Sequence, residues 1–236
     1  MSDDLAGLIG QRPANASRPL LGLTILVVED SRYASEAMRL LCLRSGARIR
    51  RADCLRSAHR HLRTYRPSVV IVDLGLPDGC GDDLIREIKN SDQSLPVVLG
   101  TSGDTGMEAL ALAAGADGFL PKPVESLALF QQAVLSVLPP SERPKTPMAL
   151  NDAMISPDPI ALRDDLNLMA EVLSGAQDAA SLGYVCQFLS GVARSARDDA
   201  LEDAASALGR EGGPSSADIS RLSGMVQERL AAGSAF

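Results

Sequence analysis

The sequence predicts an α/β domain built on a parallel sheet, followed by a second domain made only of helices. Residues 69–72 are four consecutive β-branched side chains without a helical period, which is typical of a strand buried on both faces. Strand patterns alternate with amphipathic helical patterns between residues 22 and 138, which indicates a sheet covered on both faces. From residue 158 onward only helical patterns occur.

The strands of the α/β domain are short apolar runs that end at turn-forming or polar residues. We predict them at residues 23–28, 47–52, 69–72, 96–100 and 118–120. The amphipathic segments between and after them predict helices at residues 32–45, 55–62, 83–90, 106–114 and 126–138. Gly46 is the expected end of the first helix, and Asp53 is the expected cap of the second.

Five polar residues lie at or just after the C-terminal ends of these strands: Glu29, Asp30, Asp73, Thr101 and Lys122. Right-handed crossovers place the C-terminal ends of parallel strands at one edge of a sheet, so these side chains should meet there. Three carboxylates packed together repel one another unless a cation lies among them. They are too few for a closed calcium site, but they suit a Mg²⁺ ion that keeps several waters.

Asp73 at such a site could act as a nucleophile toward phosphorus. Mg²⁺ would then offset charge on the transferring phosphoryl group, and Thr101 and Lys122 would bind its oxygens. A purely structural alternative has Asp73 capping the next helix, Lys122 pairing with a core carboxylate and Thr101 simply packing. That alternative explains each residue separately but does not explain why all of them share one edge.

Residues 22–138 resemble the receiver domain of bacterial two-component response regulators, whose flavodoxin-like sheet has the strand order 2-1-3-4-5. The matching elements are Glu29-Asp30, Asp73 with Leu76-Pro77 and Gly81, Thr101, and residues 115–123. The resemblance implies that Asp73 is the phosphoacceptor and that Glu29, Asp30, Asp73 and the Gly75 carbonyl are the Mg²⁺ ligands.

The same resemblance makes Thr101 and Lys122 the phosphate contacts, and makes Phe119 an aromatic switch that changes rotamer with Thr101. It also implies a cis bond between Lys122 and Pro123. Gly75 departs from the family pattern, because many relatives carry at this position a side chain that can touch the attacking water. The lifetime of the phosphoryl group is therefore open.

A group of arginines forms a possible basic face on the first domain. Its members are Arg39, Arg44, Arg48, Arg50, Arg51, Arg56, Arg60, Arg63 and Arg66. One interpretation is a solvated surface, and the other is a docking surface for an acidic partner. Aromatic residues are not interleaved with these arginines, and the whole chain has a net charge of -7. Both facts disfavour nucleic-acid binding.

The remaining segments organise the chain. Residues 1–21 are expected to be a flexible tail or a strap, residues 22–138 the receiver, residues 139–157 a proline-rich linker, and residues 158–233 a four-helix bundle. The first expected helix of the bundle begins at Asp158-Pro159, and the second includes residues 182–196. The third begins at an Asp199/Glu202 capping box, and the fourth spans residues 215–232. The segment from Met148 onward contains 13 acidic and six basic residues, whereas residues 1–147 contain 17 of each.

The bundle contains one segment with a further resemblance, residues 187–193. It is similar to the His-x-x-Lys-Gly-x-Ala helix of histidine phosphotransfer domains, with Gln187 in place of the histidine and Ser190 in place of the lysine. A glutamine amide cannot accept a phosphoryl group as an imidazole can, so this resemblance implies a degenerate bundle kept for binding. The acidic composition makes a DNA-binding bundle unlikely.

The leading hypothesis is a non-enzymatic response regulator that switches protein–protein contacts of its helical domain. Its phosphodonor would be a histidine kinase or phosphotransfer protein, and a homodimer is possible. The charge contrast between the two halves favours a helical domain that leaves the basic face of its own receiver. The alternatives are a transcriptional regulator with an atypical DNA-binding domain and a phosphate sink without output. The lack of a signal pattern or a long apolar run, and four scattered cysteines, predict a cytoplasmic protein that neither spans nor binds a membrane.

Overall fold

A parallel sheet of five strands forms the first domain in this computed structural model, which describes residues 17–91, 96–144, 151–175, 178–208 and 216–232. The strands are β1 (Thr24–Val28), β2 (Arg48–Ala52), β3 (Val69–Asp73), β4 (Val97–Ser102) and β5 (Gly118–Pro121). Their order is β2-β1-β3-β4-β5, which confirms the predicted fold class and strand order. The apolar side chains of β3 are fully buried, because this central strand is covered on both faces.

In the described part of the first domain, five α-helices cover the sheet. They are α1 (Arg32–Ser45), α2 (Leu55–Thr64), α3 (Gly81–Lys89), α4 (Glu108–Ala113) and α5 (Leu127–Val137). One apolar layer includes Met38 of α1 and Phe130 of α5, and the other includes Ile85 of α3. Neighbouring residues of β1 enter different layers, since Val27 belongs to the first and Val28 to the second.

The helix ends show where local sequence signals succeed and where they fail. Ser31 caps α1, and Gly46, with φ of 88°, ends it at the predicted position. The prediction that Asp53 caps α2 is wrong, since Asp53 stands one residue before the N-cap position. Asp78, which follows β3 in the chain, takes this role and accepts a hydrogen bond of 2.8 Å from the Leu55 amide.

Two segments predicted as a flexible tail and a linker are partly attached to the first domain. Leu20 is fully buried, and its amide donates to the Ser45 carbonyl over 2.9 Å, so residues 17–22 form a strap rather than a flexible tail. Ile155 is buried in the apolar layer beneath α1 and α5, and its amide donates to the Glu125 carbonyl. Burial of these two aliphatic side chains explains why the segments adhere. Residues 1–16 of the tail and 145–150 of the linker lie outside the described residues.

The described part of the second domain is entirely helical, as predicted. It contains α6 (Pro159–Gly175), α7 (Ala179–Ala196), α8 (Asp199–Leu208) and α9 (Ser216–Ala232). Each helix packs on the next and α9 returns to α6, around a core that includes Met169, Leu189 and Leu222. The α8 cap is Asp198, which accepts from the Leu201 amide, and not the predicted Asp199. Positions 176–177, 209–215 and 233 of the predicted bundle lie outside the described residues.

The lengths and hydrophobicity of the helices also bear on membrane insertion. Within the described ranges, none of the helices is both long and apolar enough to cross a bilayer.

Candidate functional site

Three carboxylates meet where β1 and β3 end. The two strands are adjacent and in parallel register, with Val28 paired to Val72. This register places Glu29, Asp30 and Asp73 together, and one carboxylate oxygen from each lies within 4.8 Å of the others. Parallel pairing of two buried strands therefore builds the acidic cluster.

Lys122, which follows β5, reaches into this cluster. Its Nζ lies 2.8 Å from Asp73 Oδ2 and 2.7 Å from Glu29 Oε2, and its side chain is almost fully buried. Burial alone would lower the pKa of Lys122, but the Asp73 and Glu29 carboxylates outweigh it and raise the pKa above its ordinary value. Lys122 is therefore held as a cation beside Asp73. The peptide bond between Lys122 and Pro123 is cis, as the resemblance implies.

The acidic cluster carries more negative charge than one lysine balances. Burial, opposed by Lys122 and reinforced by Asp73, raises the pKa of Glu29 to about 8. Burial together with the Asp73 carboxylate raises the pKa of Asp30 to about 6. Glu29 Oε2 is buried, and Lys122 Nζ lies 2.7 Å from it. Three carboxylates that share one lysine cation fit a hard divalent cation such as Mg²⁺.

Thr101 and Phe119 lie on the strands beside Asp73. Thr101 is the register partner of Asp73 across β3 and β4, but its hydroxyl donates to the Leu120 carbonyl over 2.7 Å. Phe119 pairs with Gly100 in register, and a Cβ added to Gly100 would lie 3.3 Å from the Phe119 ring. Thr101 therefore lies at the same edge of the sheet as Asp73, and its hydroxyl is hydrogen-bonded to β5.

Gly75 lies in the loop directly after Asp73. Its amide donates to Asp73 Oδ1 over 3.4 Å, and both residues line a cavity of about 770 Å³. All seven residues that the sequence singled out for the site thus lie at or beside one edge of the sheet. The roles proposed for them remain predictions.

Helix α7 of the second domain lies across this edge and forms the other wall of the cavity. Tyr184 Oη donates a hydrogen bond of 2.7 Å to Asp30 Oδ2. A Cβ added to Gly75 would collide with the amide of Gln187, so this amide occupies the space beside the loop. Asp73 is only 7% exposed under this cover. The helical domain therefore covers the acidic cluster of its own chain.

Helix α6 attaches the second domain to the N-terminus of α1. Asp165 is 1% exposed and accepts hydrogen bonds from Ser31 Oγ and from the amides of Arg32 and Tyr33, over 2.7, 2.9 and 3.0 Å. Burial raises the pKa of Asp165, and these hydrogen bonds oppose the rise. Its carboxylate satisfies helix N–H groups that otherwise lack partners within the helix.

This position differs from the one that the charge contrast favoured. Two ion pairs join described residues of the two domains, Arg32–Asp164 and Arg197–Glu125, and neither of these two involves the arginines of the predicted basic face. All of those arginines except Arg39 are exposed. Solvated arginines gain little from a distant acidic surface, whereas short hydrogen bonds to buried groups are strong.

The interdomain roles of two residues, Asp165 and Tyr184, could not be predicted from the sequence. Asp165 follows another aspartate on an amphipathic helix, where a carboxylate is usually solvated. Tyr184 lies beside core residues of α7 and could equally belong to the core. The similarity of residues 187–193 to a phosphotransfer helix predicted a bundle kept for binding, but it did not predict that α7 faces the first domain.

The first domain matches a known protein family in sequence. The sequence profile of the response regulator receiver domain matches residues 25–134. The virulence transcriptional regulatory protein PhoP of Salmonella typhi is 32% identical over 155 residues, which are 64% of this chain and 66% of that protein. PhoP of Salmonella typhimurium LT2 is 34% identical over 116 residues, which are 48% of this chain and 52% of that protein. The chain thus spans between one half and two thirds of the length of these curated relatives.

Solved structures similar to this chain cover about half of it. The signal receiver domain of a histidine kinase from Syntrophus aciditrophicus has a TM-score of 0.45 at 27% identity, over 50% of this chain and 90% of its own. A response regulator receiver domain from Bermanella marisrubri has a TM-score of 0.41 at 30% identity, over 48% and 92%. On the sequence match and the site residues, residues 25–134 are a receiver domain of the two-component response-regulator family.

Proposed function

We propose that this chain is a response regulator in which Asp73 accepts a phosphoryl group and thereby changes the contacts of the helical domain. The observation that carries the proposal is the position of Lys122, whose ammonium group bridges Asp73 and Glu29 at 2.8 and 2.7 Å. A purely structural ion pair would need one carboxylate. The surplus acids beside it are those that a divalent cation and a transferring phosphoryl group require.

In this proposal Glu29, Asp30, Asp73 and the Gly75 carbonyl hold Mg²⁺, which supplies charge stabilisation for the transferring group. An Asp73 oxygen forms a bond to phosphorus while the bond from phosphorus to the donor breaks. Lys122 binds one phosphoryl oxygen and remains protonated. No separate catalytic domain is needed for this transfer, so the protein would act as a switch and not as an enzyme with its own substrate. We place this switch in the cytoplasm.

The switch would act through Thr101 and Phe119. The Thr101 hydroxyl is bonded to the Leu120 carbonyl, and it must leave this partner in order to bind a phosphoryl oxygen. Its movement would vacate space at the end of β4 into which the Phe119 ring, which now lies beside Gly100, could turn. The change at Asp73 would in this way reach α4, β5 and α5.

The helical domain would respond directly, because it touches the same site. Tyr184 bonds to Asp30, and Gln187 lies beside Gly75. A histidine kinase or phosphotransfer protein that brings a phosphohistidine to Asp73 must occupy the space that α7 fills. The docked arrangement therefore excludes a protein donor, and release of α7 would expose its face to the donor or to a partner protein.

DNA binding is the second candidate function, because the curated relatives are named as transcriptional regulatory proteins. The relative from Salmonella typhimurium LT2 matches over 116 residues, which are 48% of this chain. The helical half carries 13 acids and six bases from Met148 onward, a composition unsuited to phosphate contacts. A filter-binding assay with phosphorylated protein and genomic fragments decides between the two functions, and our proposal expects no retention at physiological salt.

The proposal is tested by loading the protein with beryllofluoride and Mg²⁺, which together imitate a phosphoryl group on aspartate. Solution scattering and hydrogen exchange at the amides of Arg32 and Tyr33 report whether the helical domain remains docked. We expect loading to increase exchange at these amides in wild type but not in Asp73→Asn. Unchanged scattering and exchange in loaded wild type would contradict the proposed switch.

A further inference from the structure

We infer that Gln187 of the helical domain positions the water that hydrolyses the phosphoryl group on Asp73. This inference rests on the proposed function, because it concerns the removal of the group that Asp73 accepts. It assigns to the helical domain an activity toward its own receiver in addition to covering it.

The first supporting observation is the space beside Gly75. This residue is two positions after Asp73 and has no side chain, and its amide donates to Asp73 Oδ1. A Cβ built on Gly75 collides with the amide of Gln187, and its three nearest atoms outside the neighbouring residues all belong to that side chain. The Gln187 amide therefore fills the volume that a side chain at position 75 would occupy, and it does so next to the phosphoacceptor.

The second observation is the position of α7 on either side of this amide. Tyr184, Gln187 and Gly191 follow each other at intervals of three and four residues, so they share one face of α7. Tyr184 bonds to Asp30 after β1, and the Gly191 Cα lies 3.6 Å from a Cβ built on Gly103 after β4. Contacts on both sides of Gln187 thus place this part of α7 over the residues that follow β3, while the Gln187 side chain itself is exposed.

The third observation is the cavity of about 770 Å³ in which Asp73, Gly75 and Gln187 meet. It has room for several waters and a phosphoryl group, so Gln187 would act on those phosphorylated chains in which α7 is docked.

The chemistry of the side chain suits this role. A neutral carboxamide both accepts and donates hydrogen bonds, so it can hold a water with one lone pair directed at phosphorus. Glutamine has this water-orienting function in GTP hydrolysis. Here the water oxygen would form a bond to phosphorus, the bond from phosphorus to the Asp73 oxygen would break, and the water proton would pass to the released inorganic phosphate. Because an amide cannot itself take the phosphoryl group, Gln187 would not divert it.

The test measures how long the label on Asp73 survives. The full chain is labelled with radioactive acetyl phosphate and Mg²⁺, the donor is removed, and loss of label is followed in wild type, Gln187→Ala and Gln187→Met. Methionine keeps the length and helix propensity of glutamine but lacks the amide. We expect both variants to lengthen the half-life by about tenfold or more, the loss expected when a reacting group is no longer oriented. Gln227→Ala, on the exposed face of α9, is the matched control and should leave it unchanged.

A rescue experiment separates positioning of water from mere packing. In the Gln187→Ala background, Gly75→Gln supplies a carboxamide from the receiver itself, and we expect the half-life to shorten toward the wild-type value. Wild-type decay in Gln187→Met would overturn the inference and leave the proposed function intact. Absence of label on wild-type Asp73 would instead overturn the proposed function on which the inference rests.

Discussion

Tyr184 of the helical domain donates a hydrogen bond of 2.7 Å to Asp30 of the receiver, one of the three carboxylates at the candidate metal site. Burial raises the pKa of Tyr184, and the Asp30 carboxylate raises it further, so the phenol remains a donor at neutral pH. A side chain outside the receiver thereby orients a predicted metal ligand.

Replacing this tyrosine should weaken docking of the helical domain. Tyr184→Phe removes a hydrogen bond to a carboxylate, which typically contributes about 1.5–3 kcal/mol. We expect faster hydrogen exchange at the Arg32 and Tyr33 amides, together with faster labelling of Asp73 by a histidine kinase. Tyr65→Phe is the control, because Tyr65 contacts His61 on α2 and not the helical domain. Equal exchange in the Tyr184 and Tyr65 variants would refute this role of Tyr184.

Asp165 should be the strongest single attachment between the domains. Asp165→Ala leaves the Arg32 and Tyr33 amides and the Ser31 hydroxyl without their acceptor, and loss of such a cap typically costs about 0.5–2 kcal/mol. We expect a larger radius of gyration in solution scattering. Asp164→Ala removes only an exposed ion pair with Arg32 and should have little effect. The prediction fails if the two neighbouring variants scatter alike.

Lys122 should become dispensable for stability when a divalent cation is present. Lys122→Met leaves Glu29 and Asp73 buried without their cation, a loss of about 3–5 kcal/mol for a buried pair. Mg²⁺ should recover most of this loss, which urea unfolding with and without Mg²⁺ measures. Lys89→Met breaks the less buried pair with Asp117, and its effect should not depend on Mg²⁺. A Lys122→Met loss that Mg²⁺ does not reduce would argue against a cation in this cluster.

Binding of Mg²⁺ should strengthen as the pH rises. The pKa of Asp30 is raised to about 6 and that of Glu29 to about 8, so protons occupy these carboxylates below those values and must leave when the cation binds. Affinity measured by calorimetry should therefore increase from below pH 6 to above pH 8. Glu29→Gln should remove the upper part of this dependence. Affinity that stays constant over this range would contradict the proton competition.

Local patterns predicted most of the receiver. The β-branched run of β3 identified the central strand, and Gly46 fixed the end of α1, because both depend on neighbouring residues only. The sheet then determined that Asp73 and Lys122 would meet, since parallel strands share one edge. The gathering of these site residues therefore followed from the order of strands in the sequence.

Contacts between segments far apart in the chain could not be predicted in the same way. Asp78 displaces Asp53 as the acid at the start of α2, and Leu20 turns an expected tail into a strap. Asp165 binds α1 across more than a hundred residues of sequence. Net charge suggested docking on the arginines, but the docking position depends on which hydrogen-bond donors lack partners, and this is a property of the folded receiver.

Labelling of Asp73 tests the central claim most directly. Wild type and Asp73→Asn are incubated with radioactive acetyl phosphate, with and without Mg²⁺, and the label is located by peptide mass spectrometry. We expect an acid-stable, base-labile phosphoryl group on Asp73 that requires Mg²⁺ and is absent from Asp73→Asn. Label of equal amount in Asp73→Asn, or none in wild type with Mg²⁺ under conditions that label another receiver, would contradict it.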